Sequence, residues 1–320
     1  MKLKFRRIIS AGKFIPEVDG LRFIAVFSVV MFHLNEFLND HDKNIYVQSY
    51  DFSFINNLLS HGNLGVPLFF VLSGFILGRP FADSYINAGN KIDLKKYFIR
   101  RLTRLEPPYM LIMTFLLIAK VYLISVLTVK EGFYSYLASI TYTHNFFYGK
   151  GTLPLLNGPA WSLEIEIQFY MIVPLLTHVF SIPNKVSRRL ILVFASLFFI
   201  IFDYWVVLPF WSILNYFEFF LAGFLLADFY ASNSMLFRKS KYDSWIGVFF
   251  LVFIWLFKTT DFNNTILKII WEIAQLSSIF FCSTMSFFIR QSSFSETLTS
   301  QILEECVTPS TFYIFPSLVW

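Results

Sequence analysis

Apolar runs long enough to cross a bilayer recur along almost the whole of this chain, and no other feature limits its fold so strongly. A hydrocarbon core of ~30 Å takes about 20 residues of helix. Runs near 20–38, 63–80, 107–127, 160–180, 189–208, 211–230, 244–258 and 266–288 meet or approach that length. The expectation is an all-α protein: a polytopic transmembrane helical bundle of about eight spans, organised as one domain over residues 1–320. The stretch from Phe133 to Tyr148 is aromatic but broken by polar residues, which suits an interfacial or re-entrant segment. Composition agrees, because 56% of the residues are hydrophobic and only 15% are charged. A soluble domain carries roughly a quarter charged residues, so a soluble fold with a single anchor is excluded.

The net charge of +5 would suit an acidic partner if the basic residues formed a patch. Instead they alternate with the spans. Six lie in the leader through Arg22, one in the 39–62 loop (Lys43) and seven between Arg79 and Arg104. Lys130 and Lys150 follow in the next loop, then Lys185, Arg188 and Arg189, and after a turn with none come Arg238, Lys239 and Lys241. Under the positive-inside rule this pattern puts the N-terminus and every second loop in the cytoplasm, and in a bacterium the bundle in the cytoplasmic (inner) membrane. It leaves no footprint for nucleic acid. The leader MKLKFRRIISAGKF has the charge of a signal-peptide n-region, but no small-residue cleavage site follows, so it is expected to be retained. Cys282 and Cys306 have no CxxC spacing, the histidines at 41, 61, 144 and 178 have no ligand spacing, and no metal is expected.

Four segments carry polar groups where lipid penalises them. In DGLRFIAVFSVVMFH, Arg22 and His33 are eleven residues apart, which on a helix is nearly one face and about 16 Å of axial rise. Ionisable groups inside spans usually face a bundle interior or a water-filled cavity; a snorkelling anchor at Arg22 and a structural hydrogen bond at His33 are the plainer alternatives. NLGVPLFFVLSGFILG is interrupted by small residues, Ser73 among them, which fits close helix packing. In YFIRRLTRLEPPYM, Arg101 and Arg104 are one turn apart just before Pro107 and Pro108, which read as a helix start. Two such guanidiniums suit phosphate or a cytoplasmic anchor. In NGPAWSLEIEIQFYMIVPLL, Glu166 falls about one and a half turns below the outer surface, a depth matching His33, while Glu164 fits a carboxylate exposed at the interface. A carboxylate beside a histidine sets the ring tautomer and raises its basicity.

Together these motifs resemble the acyltransferase-3 family of integral-membrane acyltransferases. EVDGLRFIAVFSVVMFH resembles the first-helix signature with its spaced arginine and histidine, and GVPLFFVLSGFIL is similar to GVxLFFVLSGF. Arg101 with Arg104 matches RxxR, and WSLEIEIQFYMIVPLL is similar to WSLxxEQFY, which aligns Glu166 with the family's glutamate. The resemblance implies an O-acyltransferase that moves an acyl group, commonly acetyl, from cytoplasmic acyl-CoA to a hydroxyl of a cell-surface glycan or glycolipid. It implies that Arg22, Arg101 and Arg104 hold the CoA phosphates, that Ser73 lines the donor path, that His33 is the general base or transient acyl carrier, and that Glu166 orients or charge-balances it. It also implies about ten spans closing on an aromatic helix. After Arg290 the chain reads QSSFSETLTSQILEECVTPSTFYIFPSLVW, so 291–320 is expected to be an atypical tail of the kind a truncated or frameshifted reading frame gives. A transporter for a glycan or lipid-linked intermediate, or an inactive truncated homologue, are the competing readings.

Overall fold

A computed structural model describes residues 16–41, 53–232, 243–255 and 262–288. The leader and the tail singled out above lie outside the described residues, as do Cys306 and the basic loop at Arg238. Among the described residues the fold is all helical: α1 (Pro16–His41), α2 (Ser53–Ser60), α3 (Gly65–Ile86), α4 (Leu94–Ile118), α5 (Val129–Ile140), α6 (His144–Tyr148), α7 (Ala160–Leu176), α8 (Lys185–Trp205), α9 (Phe217–Ala231), α10 (Asp243–Ile254) and α11 (Thr265–Phe288).

Among the described residues, five stretches are long and apolar enough to cross a membrane: Val18–Leu38, Ile55–Ile86, Leu94–Leu123, Ala160–Ser181 and Thr265–Thr284. Their outward sides remain apolar. Leu111 on α4 and Met171 and Leu175 on α7 are each at least 70% exposed, as expected where the surrounding medium is hydrocarbon. The other three expected spans correspond to α8, α9 and α10, which are shorter or carry charge near an end.

The direction of each helix follows from which residues meet. Phe69 of α3 reaches Arg22 of α1, whereas a side chain at Gly62, just before α3, would meet Ser28, so the two run antiparallel. Phe70 stacks on Phe220 and Arg79 sits over Tyr230, so α3 and α9 run parallel. Tyr97 meets Tyr170 while Lys120 reaches the Leu155 carbonyl, which sets α4 against α7. Arg188 meets Asp228 and Phe199 meets Phe217, setting α8 against α9. α10 opposes α11 through Phe250–Phe281 and Phe253–Trp271. One consequence is that Arg22, Arg79, Arg101, Arg188 and Arg189 gather at one end of the bundle.

Close approach dictates the centre. α3 and α9 cross where Gly74 faces Gly223, and a Cβ on either would collide with backbone of the other helix. Around the crossing, Phe70, Phe169, Phe220 and Phe224 form one buried aromatic layer. At the basic end, Asp228 is fully buried and binds both Arg188 and, at 2.7 Å, Arg189. Removing one member of a buried ion pair strands the remaining charge at a penalty of about 3–5 kcal/mol. Asp228→Ala should therefore lower the thermal unfolding temperature of detergent-extracted protein sharply, and an unchanged temperature would show that the triad carries little of the stability.

Two expectations about boundaries are corrected. Pro107 and Pro108 lie inside α4, whose start is fixed thirteen residues earlier by Asp93, the side chain of which accepts the Lys96 N–H at 3.2 Å. Proline's fixed φ is compatible with a helix, and α4 accommodates the lost donors and the ring clash of the interior pair, so the two prolines do not mark a start. The 39–62 loop is shortened from both sides, by α1 running on to His41 and by α2.

Candidate functional site

On α1, Arg22, Val26, Val29 and His33 follow one another at spacings of four, three and four, which stacks them on one face. His33, Val29 and Val26 line a cavity of about 80 Å³ closed on the other sides by Asn63, Val66 and Phe69 of the α3 region and by Pro159, Trp161 and Ser162 at the start of α7. Phe69 links this cavity to the basic end, because it lines the wall and the Arg22 guanidinium lies 5.5 Å from its ring centre. The His33 Nδ1 is 3.3 Å from the exposed Glu36 carboxylate of the next turn, without hydrogen-bond geometry.

A second cluster lies one turn further toward the basic end. Ser73 follows Phe69 by four residues, and Glu166 follows Ser162 by four. The two meet: Ser73 Oγ donates to Glu166 Oε1 at 3.2 Å, and the Tyr170 hydroxyl donates to the same oxygen. Arg101 lies over the rings of both Tyr170 and Tyr97, at 6.0 and 5.8 Å, and the Tyr97 hydroxyl donates to the Tyr170 carbonyl. Within the described residues neither Arg22 nor Arg101 has a carboxylate within ion-pair distance, in contrast to Arg188 and Arg189. Arg104, half-buried, is one turn along α4 from Arg101.

The structure brings some of the residues singled out from the sequence together and keeps others apart. His33 faces a cavity, and Arg22 contacts a residue of the same cavity wall. Ser73 stands beside Glu166. Glu166, however, is hydrogen-bonded to Ser73 and Tyr170 rather than to His33, and the residues of α7 level with His33 are Trp161 and Ser162. The depth match assumed that the ends of α1 and α7 lie level; with His33 beside Trp161 and Ser162, the eight residues of α1 that follow it run about 12 Å past the start of α7, so His33 sits one turn nearer that end of the bundle than Glu166. Glu164 is also corrected: it is fully buried, and its carboxylate accepts the N–H groups of His144 (3.1 Å) and Asn145 (2.9 Å), the first residues of α6. That is the favourable end of a helix for a negative charge. His144 itself lies outside the long apolar helices, stacked on Tyr148 at 4.3 Å, and burial pushes its imidazole down to about 4, so it is neutral near pH 7. Sequence reasoning missed Tyr97 and Tyr170. Both were signalled by spacing, Tyr97 four residues before Arg101 and Tyr170 four after Glu166. Among the described residues no group of three or more His, Cys, Asp or Glu side chains is placed to hold a metal ion.

Arg22 and Arg101 lie toward one end, Arg101 over Tyr170 of the Glu166 cluster, and the His33 imidazole faces a mostly apolar cavity one turn further from that end. Comparison with known proteins then identifies the family. The model of the acyltransferase domain numbered 3 matches residues 15–303. The chain belongs to the acyltransferase-3 family. Relatives include the O-acetyltransferase OatA of Staphylococcus aureus strain NCTC 8325 / PS 47 and that of strain COL, each 31% identical over 210 residues. The aligned part is 60% of this chain and 30% of each relative, so the match spans under a third of the relatives' length. No solved structure matches. Every member of the two clusters, from Arg22 to Tyr170, lies inside the matched acyltransferase-3 domain.

Proposed function

We propose that this acyltransferase-3 chain is a membrane O-acyltransferase that moves an acyl group, acetyl in the first instance, from acyl-CoA to a hydroxyl of a cell-surface glycan or related acceptor. The observation that carries the reading is the separation of two chemistries along one path: guanidiniums without carboxylate partners, and, about three turns away on α1, a histidine in an apolar cavity. The names of the relatives support O-acetyl transfer. Arginine suits CoA phosphates because its planar fork bonds them bidentately. In this reading the bundle crosses the cytoplasmic membrane eight times with the N-terminus inside, supported by the alternating helix directions and by the arginines gathered at one end.

The chemistry balances with these residues alone. The acceptor oxygen forms a bond to the thioester carbonyl carbon, the carbon–sulfur bond breaks, and His33 takes the hydroxyl proton and returns it to the leaving thiolate. Imidazole titrates in the range this exchange needs. Glu166, held by Ser73 and Tyr170, acts one turn away as a positioned hydrogen-bond acceptor between Arg101 and the cavity.

Charge-assisted hydrogen bonds are worth about 1.5–3 kcal/mol each. Arg101→Gln and Arg22→Gln should each lower kcat/KM for acetyl-CoA by ~10- to 100-fold, mainly through KM, with the lysine variants intermediate. Steady-state assays in membranes with labelled acetyl-CoA measure this, and an unchanged KM in both glutamine variants would remove these residues from donor binding. Movement of a glycan without acylation would favour the transporter instead.

A further inference from the structure

The cavity beside His33 has an unusual wall for a place where sugar hydroxyls or phosphates would dock. Val26, Val29 and Val30 project from α1 and Val66 and Phe69 from α3, and His33 is the one ionisable side chain among the lining residues. Asn63, Trp161 and Ser162 are the other polar residues of the lining, so this mostly apolar wall offers a polar guest few partners and suits an alkyl group. We propose that this cavity is the acyl pocket and that Val29 and Val66, on the two facing helices, set the length of acyl chain accepted. The inference rests on the acyl-transfer reading above and deepens it by naming the two residues that set the acyl-chain length.

Size supports the assignment. About 80 Å³ is available, against ~150 Å³ for a dry apolar cavity that takes a six-carbon ring. The space favours an alkyl part of two or three carbons over a six-carbon chain. Val29 sits one turn from His33, so its methyl groups meet the chain where it leaves the reacting carbonyl. One methylene too many in an apolar pocket changes selectivity about 10- to 200-fold.

The test uses membranes containing the full chain and three labelled donors, acetyl-CoA, propionyl-CoA and hexanoyl-CoA. Wild-type protein should use the first two and transfer hexanoyl at least ~10-fold less well. Val29→Ala and Val66→Ala, made separately, should each raise the hexanoyl-to-acetyl ratio by ~10-fold or more, and Val66→Phe should lower the propionyl-to-acetyl ratio. A ratio taken within one preparation cancels differences in the amount of folded protein. Equal use of hexanoyl and acetyl donors by the wild type overturns the pocket without any variant. So do unchanged ratios in both alanine variants, and in either case acetyl transfer by the wild type leaves the transferase reading standing. Transfer of no acyl group at all by the wild type removes both.

Discussion

Membranes carrying His33→Ala will transfer label from acetyl-CoA at least ~100-fold more slowly than wild-type membranes, because a positioned general base contributes about 10²–10⁴ in rate. Among the residues lining the cavity His33 alone can accept a proton from a hydroxyl near pH 7, so no neighbour replaces it. A fold defect would mimic this loss, and His33→Gln separates the two. Glutamine keeps polar bulk at the cavity wall but cannot take the proton, so it should be as inactive as alanine while the amount and thermal stability of extracted protein match wild type. Substantial activity in His33→Gln would take the general-base role away from His33.

The largest effect on the fold is expected at the α3–α9 crossing. An added Cβ at Gly223 would run into the Val71 carbonyl oxygen and the Phe75 N–H of the facing helix, and one at Gly74 into the Phe220 carbonyl. These are backbone atoms, so no rotamer change relieves the contact and the helices must separate. Overpacking a tight core is penalised by about 1–3 kcal/mol, occasionally more. Here separation would also break the aromatic layer of Phe70, Phe169, Phe220 and Phe224. Gly223→Val should therefore leave little monodisperse protein after detergent extraction, with Gly223→Ala intermediate. Normal yield and stability in both variants would show that this crossing does not organise the bundle.

Much of this was readable in the chain. Lipid makes apolar length a direct measure of span, so the all-helical bundle and the ordering of basic ends followed from the residues. The stripe from Arg22 to His33 needed only helical spacing, and it survived because α1 is regular throughout. What failed were inferences that depended on where a helix stops. The ends of α1 and α7 are not level, which separated His33 from Glu166 in depth, and an aspartate cap at 93 outweighed the two prolines in α4. Glu164 was misread because its partners, the N–H groups at 144 and 145, come from a five-residue helix with no sequence signal of its own. The Arg188–Asp228–Arg189 cluster was hidden for another reason: a charge count sees two more basic residues, and only the packing of α8 on α9 shows that they are neutralised in part and unlike Arg22 and Arg101.

The central claim is that donor and acceptor meet across the membrane, with phosphates held at the arginine end and the acyl group delivered beside His33. Sealed inside-out vesicles test it most directly, with labelled acetyl-CoA supplied only to the cytoplasmic face and the lumenal glycan isolated afterwards. The account predicts label on lumenal glycan in wild-type vesicles and none with His33→Ala. Label that accumulates only on the face where the donor was added, or that reaches the lumen equally well without His33, would contradict it.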